Sequence, residues 1–188
     1  MRRVILSGTS HSGKSTLLEA LAQKGYRTIP EVETQVRQGL VRELGSDAAR
    51  QWIRENYFEY RRLVGDKVAE VESIINASSD EIVILDRSAV CYIGYCHLRK
   101  IRVPPVLEEL ANRMSDMDVA FLGALTSFDE RKSEGRIMTK EEAQKLVGLI
   151  QLEYEKRGFR LIHVPEFYPD KDKNIQARIG YIKQAFSL

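Results

Sequence analysis

Apolar and polar positions along this chain follow two distinct periods. Short unbroken apolar runs bounded by turn residues occur at 4–6 (before Ser7 and Gly8), 81–86, 118–125 and 159–165. Runs of this length suit strands buried on both faces, as in a parallel sheet covered by helices. A shorter candidate strand lies in 26–31 and is ended by Pro30. Elsewhere the apolar positions recur in steps of three and four. Leu17, Leu18 and Leu21 run to a natural helix stop at Gly25. A stripe from Ala49 through Trp52, Tyr57, Tyr60, Val64, Val68 and Val71 to Ile75 predicts one long amphipathic helix, with Ser46 or Asp47 as its cap. Its aromatic positions read first as core packing. Further helices are expected at roughly 88–98, 106–114, 139–157 and 174–186.

Strands that alternate with helices imply parallel βαβ units. The expected fold class is therefore α/β: three α/β/α layers around a mostly parallel sheet of about five strands. No internal repeat, low-complexity tract or long linker interrupts the pattern, so residues 1–188 are expected to form a single domain.

Composition narrows the partners. The formal net charge of +2, with both signs mixed along the chain, gives no reason to expect nucleic acid or a membrane surface. Arg99, Lys100 and Arg102 read as a solvated face. Cys91 and Cys96, five residues apart in a predicted helix, are poorly placed for a disulfide and read as reduced thiols. No apolar run approaches the ~18 residues of a membrane span. The Met-Arg-Arg start runs straight into the first strand and leaves no room for a targeting peptide, so a cytoplasmic location is expected.

Candidate chemistry begins where the first strand ends. Residues 8–15, "GTSHSGKS", match G-x-x-x-x-G-K-[ST] in full. Such a loop curls so that successive backbone N–H groups face phosphate oxygens, and its glycines permit the dihedrals and the close approach. Gly8, Thr9, Ser10, His11, Ser12, Gly13, Lys14, Ser15 and Thr16 are accordingly the candidate ATP-binding residues. Lys14 would reach the β- and γ-phosphates, Ser15 would offer its hydroxyl to Mg²⁺, and the following helix would direct its positive end at the same anion. His11 fills a free position of the pattern, which suits the outer face of the loop.

Asp86 ends the run Ile82, Val83, Ile84, Leu85. In a parallel sheet that end lies beside the phosphate loop, where a carboxylate can hold the magnesium shell together with Ser15. It could instead cap the next helix.

Arg87 follows, and here the sequence resembles known families. "DRSAVCYIGY" (86–95) looks like the Asp-Arg-aromatic segment of thymidylate kinases and the Glu-Arg-Ser segment of deoxynucleoside kinases. The resemblance implies that Arg87 contacts transferred or substrate phosphates and that Tyr95 lines an acceptor pocket. "IPEVE" (29–33) resembles the Pro-Glu turn of the AAA-domain-like P-loop group that includes ribosylnicotinamide kinase domains, and it implies that Glu31 is a base towards an acceptor hydroxyl. Glu31 could also hold magnesium through water or cap the helix after it. "DERKSEGR" (129–136) is similar to the arginine-bearing lid of these kinases. "GFRLIHVP" (158–165) with Arg178 is similar to the last strand and final helix of the AAA-domain-like group, which would bring 165–167 and Arg178 to the adenine. The chain departs from these families at Cys91, where an acid is usual, and at Ser88, where thymidylate kinases carry an aromatic residue.

Phosphoryl transfer needs positioning and charge neutralisation above all. Lys14, Mg²⁺, Arg87 and a lid arginine would supply it, with Arg136 the first candidate and Arg131 the second in a polar lid at 126–142. The expected function is transfer of the ATP γ-phosphoryl to a nucleoside, nucleotide or related metabolite. The alternatives are a nucleotide hydrolase and a nucleotide-binding regulatory domain. No N-K-x-D segment is present to favour a guanine switch. Tyr57, Tyr60, Arg61, Tyr92 and Tyr95 are candidate acceptor-wall residues, and core packing accounts for each tyrosine equally well.

Overall fold

The computed structural model describes residues 2–8, 12–114, 117–122 and 139–188. Among them the chain runs β1 (Arg2–Gly8), α1 (Lys14–Gln23), β2 (Arg27–Ile29), α2 (Val32–Leu44), α3 (Ser46–Glu55), α4 (Tyr57–Asn76), β3 (Ile82–Asp86), α5 (Ala89–Leu98), α6 (Pro105–Arg113), β4 (Asp118–Leu122), α7 (Lys140–Lys156), β5 (Arg160–Val164) and α8 (Lys171–Phe186). The strands form one five-stranded sheet in the order β2-β3-β1-β4-β5, and every pairing is parallel. The expected α/β class and strand number are what the structure has.

The middle residues of β1, β3 and β4 are apolar and buried because both faces are covered. Successive side chains point to opposite sides. Val4 and Leu6 face a core with Leu17, Leu21, Ile179, Ile182 and Phe186 of α1 and α8. Ile5 faces the larger core on the other side, with Tyr60, Val64, Tyr92 and Ile93 of α4 and α5. In β4, Ala120 and Leu122 join the first core and Val119 and Phe121 the second. This period of two is what fixes three layers.

The helical reading needs four corrections. The stripe from Ala49 to Ile75 is carried by two helices, α3 and α4, which break at Asn56 (φ −117°, ψ 41°). Asn56 both accepts from the Tyr60 amide at 2.9 Å and donates its side-chain amide to Trp52 O at 3.0 Å, so it joins the two helices without disturbing the phase of the stripe. The residue flanking the start of α3 is Gly45, at φ 83°, and neither Ser46 nor Asp47 caps it. Helix α2 has a periodicity that the sequence reading left out: Val32, Val36 and Leu40 recur every fourth residue and pack on the larger core. Lastly, α8 starts at Lys171, three residues before the expected Asn174, because the Asp170 side chain accepts from the Lys173 amide at 2.8 Å.

Candidate active site

The carboxyl ends of β1 and β3 lie side by side, Leu6 in register with Asp86, so the loop after β1 and the acid ending β3 face the same crevice. Gly8 has φ 128°, and a Cβ there would lie 2.2 Å from Leu122 O of β4. Only glycine lets the chain leave the sheet at this point. Gly13 flanks α1 in the left-handed conformation (φ 83°), and the first turn of α1 has neither a side-chain cap nor an acidic residue. Its amide ends and dipole therefore point at the crevice uncompensated by a carboxylate of the same turn.

Lys14 is buried, and its ammonium donates to Ser12 Oγ at 3.2 Å. Burial lowers its pKa to about 8, with Arg87 adding to the effect and Asp86 and Glu31 opposing it. Ser15 Oγ donates to Asp86 Oδ2 at 3.3 Å. The other carboxylate oxygen, Oδ1, is buried and has no hydrogen-bond partner among the described residues. Burial raises the Asp86 pKa, against the pull of Lys14 and Arg87. An orphaned carboxylate oxygen beside a hydroxyl is a hard-oxygen donor set that fits Mg²⁺, which takes few protein ligands and fills its shell with water and phosphate. Asp86 does not cap α5; Ser88 occupies the flanking position.

Arg87 is a non-glycine residue at φ 73°, a strained conformation that turns its side chain back over the crevice. Its amide donates to Leu6 O at 3.0 Å, which locks the turn to β1. The buried guanidinium places Nε 2.8 Å from Glu31 Oε1 and donates from Nη1 to the Tyr95 hydroxyl at 2.8 Å. Glu31 sits just before α2, makes no side-chain cap there, and accepts from Thr34 Oγ1 at 3.3 Å. The structure thus brings Lys14, Ser15, Glu31, Asp86 and Arg87 together.

Next to them lies a second network. Glu33, on the first turn of α2, is 3.1 Å from Arg61 Nη2 and accepts from the Tyr60 hydroxyl at 3.1 Å, while its amide donates to the Tyr92 hydroxyl at 3.4 Å. Arg61 Nη2 also donates to the Tyr57 hydroxyl. The Tyr95 ring lies between the two arginines, 4.8 Å from the Arg61 carbon centre and 5.2 Å from that of Arg87. On the other side of α5, Ser7, Cys91, Tyr154 and Ser88 form a buried chain, with 3.3 Å from Ser7 Oγ to Cys91 Sγ, 3.3 Å from Cys91 Sγ to Tyr154 Oη and 2.8 Å from Tyr154 Oη to Ser88 Oγ. Cys91 and Cys96 are both free and buried.

The sequence model of a family described as an AAA domain matches residues 3–171. The chain belongs to the AAA-domain family. A protein of Frog virus 3 (isolate Goorha) named as a deoxynucleoside kinase is 25% identical to this AAA-domain chain over 95 residues, 50% of the chain and 46% of that protein. The match therefore spans about half of that relative's length. Among solved structures, deoxyadenosine kinase from M. mycoides with bound dATP has a TM-score of 0.62 at 16% identity, over 96% of this chain and 99% of its own. Thymidylate kinase from Candida albicans has 0.59 at 15%, over 99% and 92%. Shikimate kinase from Acinetobacter baumannii in complex with shikimate has 0.56 at 15%, over 100% and 94%. At these identities the shared property is the fold, the three-layer α/β/α fold of P-loop kinases.

Several expected site residues of this AAA-domain chain lie outside the described residues: Thr9, Ser10, His11, Arg131 and Arg136, with 126–138 of the lid. The last residues of the expected lid, 139–142, belong instead to the start of α7, where Thr139 and Glu142 form a reciprocal cap at 3.1 Å in each direction. Thr16 is half-buried on α1. Arg178 donates from Nη1 to Ser12 O at 2.8 Å and from Nε to Pro165 O at 3.0 Å, so it ties the phosphate loop to the turn after β5. Sequence reasoning missed Glu33 and the pairing of Arg61. The signal was the Glu-x-Glu at 31–33, which puts two acids at the start of a helix that the sequence reading left out. Among the described residues no helix is long and apolar enough to cross a membrane.

Proposed function

We propose that this protein is an ATP-dependent phosphotransferase that moves the γ-phosphoryl group of ATP to a small-molecule acceptor, a nucleoside, nucleotide or related metabolite. The observation that carries this reading is the convergence of Lys14, the Ser15–Asp86 pair and the Arg87–Glu31 pair at the adjacent ends of β1 and β3. Its likeness in fold to proteins named as kinases of deoxyadenosine, thymidylate and shikimate supports the class of reaction.

In this reading the triphosphate lies along the amides of Gly8 to Thr16, with Lys14 on its β- and γ-oxygens. Ser15 and Asp86 would hold Mg²⁺, which neutralises phosphate charge when bound. Glu31 accepts the acceptor's hydroxyl proton as the hydroxyl oxygen forms the new bond to the γ-phosphorus. The bond from that phosphorus to the β,γ-bridging oxygen breaks, and ADP leaves with its electron pair. Arg87, held by its ion pair with Glu31 and its hydrogen bond to Tyr95, faces the transferring group. Arg136, or Arg131 beside it, would complete the charge balance from a lid at 126–138, and closure of that lid would keep water from competing. The whole chain acts as one domain and works in the cytoplasm, where its two free cysteines stay reduced.

ATP turnover with and without a panel of nucleosides, nucleotides and shikimate tests this. ADP release is expected to rise about tenfold or more with one class of acceptor, matched mole for mole by phosphorylated product. Hydrolysis that no acceptor changes would identify a hydrolase, and ATP binding without turnover a regulatory domain.

A further inference from the structure

We infer that Tyr154 is a positioning residue for phosphoryl transfer: with Cys91 it forms a buried side-chain clasp that sets the spacing between the phosphate loop and Arg87. This rests on the phosphotransferase reading above and adds to it residues that never touch substrate.

The first support is where the backbone ladder stops. The pairing of β1 with β3 ends at Leu6 and Asp86, and the last tie is the Arg87 amide to Leu6 O at 3.0 Å. The chemistry lies just past that limit, with Gly8 opening the loop on one strand and Arg87 turning over the crevice on the other. There, side chains continue the tie. Ser7 Oγ lies 3.3 Å from Cys91 Sγ, Cys91 Sγ 3.3 Å from Tyr154 Oη, and Tyr154 Oη 2.8 Å from Ser88 Oγ. Ser7 immediately precedes Gly8, and Ser88 immediately follows Arg87. The clasp therefore grips each functional turn by its neighbour.

The second support is what these groups give up. Ser7 is the one polar side chain in the buried run at 4–8, where a hydroxyl is destabilising unless it is bonded. Ser88 flanks α5, a position from which serine ordinarily accepts an amide of the first turn, yet it makes no such cap. Its hydroxyl goes to Tyr154 instead. Arg87 holds φ 73°, a conformation that persists only where the surroundings over-determine it. Glu31 and Tyr95 fix its guanidinium, and the clasp fixes the backbone behind it. Tyr154 is 0% exposed, so its bonds form away from competing water. Its ring meets Phe159 edge-on at 5.0 Å, a contact that aims the phenol and does not need the hydroxyl.

The test uses the full chain with ATP and the acceptor that supports the most transfer. Tyr154→Phe keeps the ring and opens the clasp. It is expected to lower kcat about tenfold while ATP KM moves less than about twofold. Its Tm is expected to fall, because Ser88 and Cys91 lose a buried partner. Adding Ser88→Ala removes the other member of the shortest bond, so Tm is expected to recover in part while kcat stays about tenfold down. A kcat that returns together with Tm makes these groups merely structural and overturns the inference, as does wild-type kcat in folded Tyr154→Phe. Should Tyr154→Phe not fold, Ser88→Ala opens the clasp from the other end, with the same expected loss and the same overturning result. The thiol gives a readout free of activity. With Cys96→Ala leaving Cys91 as the one cysteine, its S–H stretching band in the infrared is expected to shift on Tyr154→Phe, and an unmoved band overturns the clasp. Wild-type protein that transfers to no acceptor sinks the phosphotransferase reading and this inference with it, whereas an active wild type with indifferent variants sinks this inference alone.

Discussion

The phosphate loop and the Arg61 network adjoin each other but are assembled differently. Ser12, Gly13, Lys14 and Ser15 are consecutive, and two distant side chains, Asp86 and Arg178, hold them. The network around Arg61 is drawn from the start of α2, the start of α4 and the face of α5, and no two of its helices are joined by a motif. The loop leads into a helix end with neither a side-chain cap nor an acidic residue in its first turn. The network compensates its own charges internally. The first region can be written as a short string of residues, whereas the second is written in the packing of helices.

Substitutions can test whether the two regions are separable. The largest effect is expected from Lys14→Ala, which should lower turnover by a factor on the order of 10³ and weaken ATP binding, because it removes the charge nearest the transferring group. Wild-type activity in this variant would show that the loop does not bind a triphosphate. Glu31→Gln is expected to lower transfer by a factor on the order of 10² with nearly intact ATP affinity, as measured by steady-state kinetics and ATP titration. A comparable loss of ATP affinity would place Glu31 on the loop's side of the division.

Gly94→Ala probes the network alone. A Cβ on Gly94 would meet Ile150 Cγ1 at 2.5 Å and its Cα at 3.3 Å, so α5 and α7 must separate. Overpacking of this kind costs about 1–3 kcal/mol and would be read as a lower denaturation midpoint. Because α5 carries Tyr92 and Tyr95, acceptor KM should rise while ATP KM holds.

A pH profile isolates the loop. The Lys14 pKa of about 8 means that the free protein loses this charge as pH rises through that value. ATP affinity is therefore expected to fall above about pH 8, by up to about tenfold per unit, and binding near pH 9 should take up a proton. Calorimetry in two buffers of different ionisation enthalpy measures that uptake. The folded pKa lies below the unfolded value of 10.5, so the buried ammonium costs stability below about pH 8, and the cost fades as pH climbs towards 10.5. Lys14→Met should accordingly raise Tm at pH 7, a gain absent at pH 10.5. The smallest effect is expected from Thr139→Ala, which deletes the α7 cap at a cost of about 1 kcal/mol in chemical denaturation and leaves both KM values unchanged.

How legible these regions were follows the same division. Apolar runs at β1, β3, β4 and β5 declared themselves because a strand covered on both faces needs no polar position. The loop was legible because its chemistry is local. Helix α2 stayed hidden because of its apolar residues only Val32 is fully buried, so its stripe is thin. The break at Asn56 was hidden for the opposite reason: a side-chain hydrogen bond lets two helices share one continuous stripe. Arg87's left-handed backbone and the Glu33–Arg61 pair depend on neighbours 27 or more residues away in the chain, which no local period records.

Arg178 carries a lesson for anyone who would build chimaeras from this scaffold. Its guanidinium fastens the carbonyls of Ser12 and Pro165, which lie far apart in the chain. Grafting the segment after β5 from a protein of the same fold would cut that fastening unless the arginine travels with the graft. A splice at α7 keeps the pair intact and is the better place to join foreign sequence.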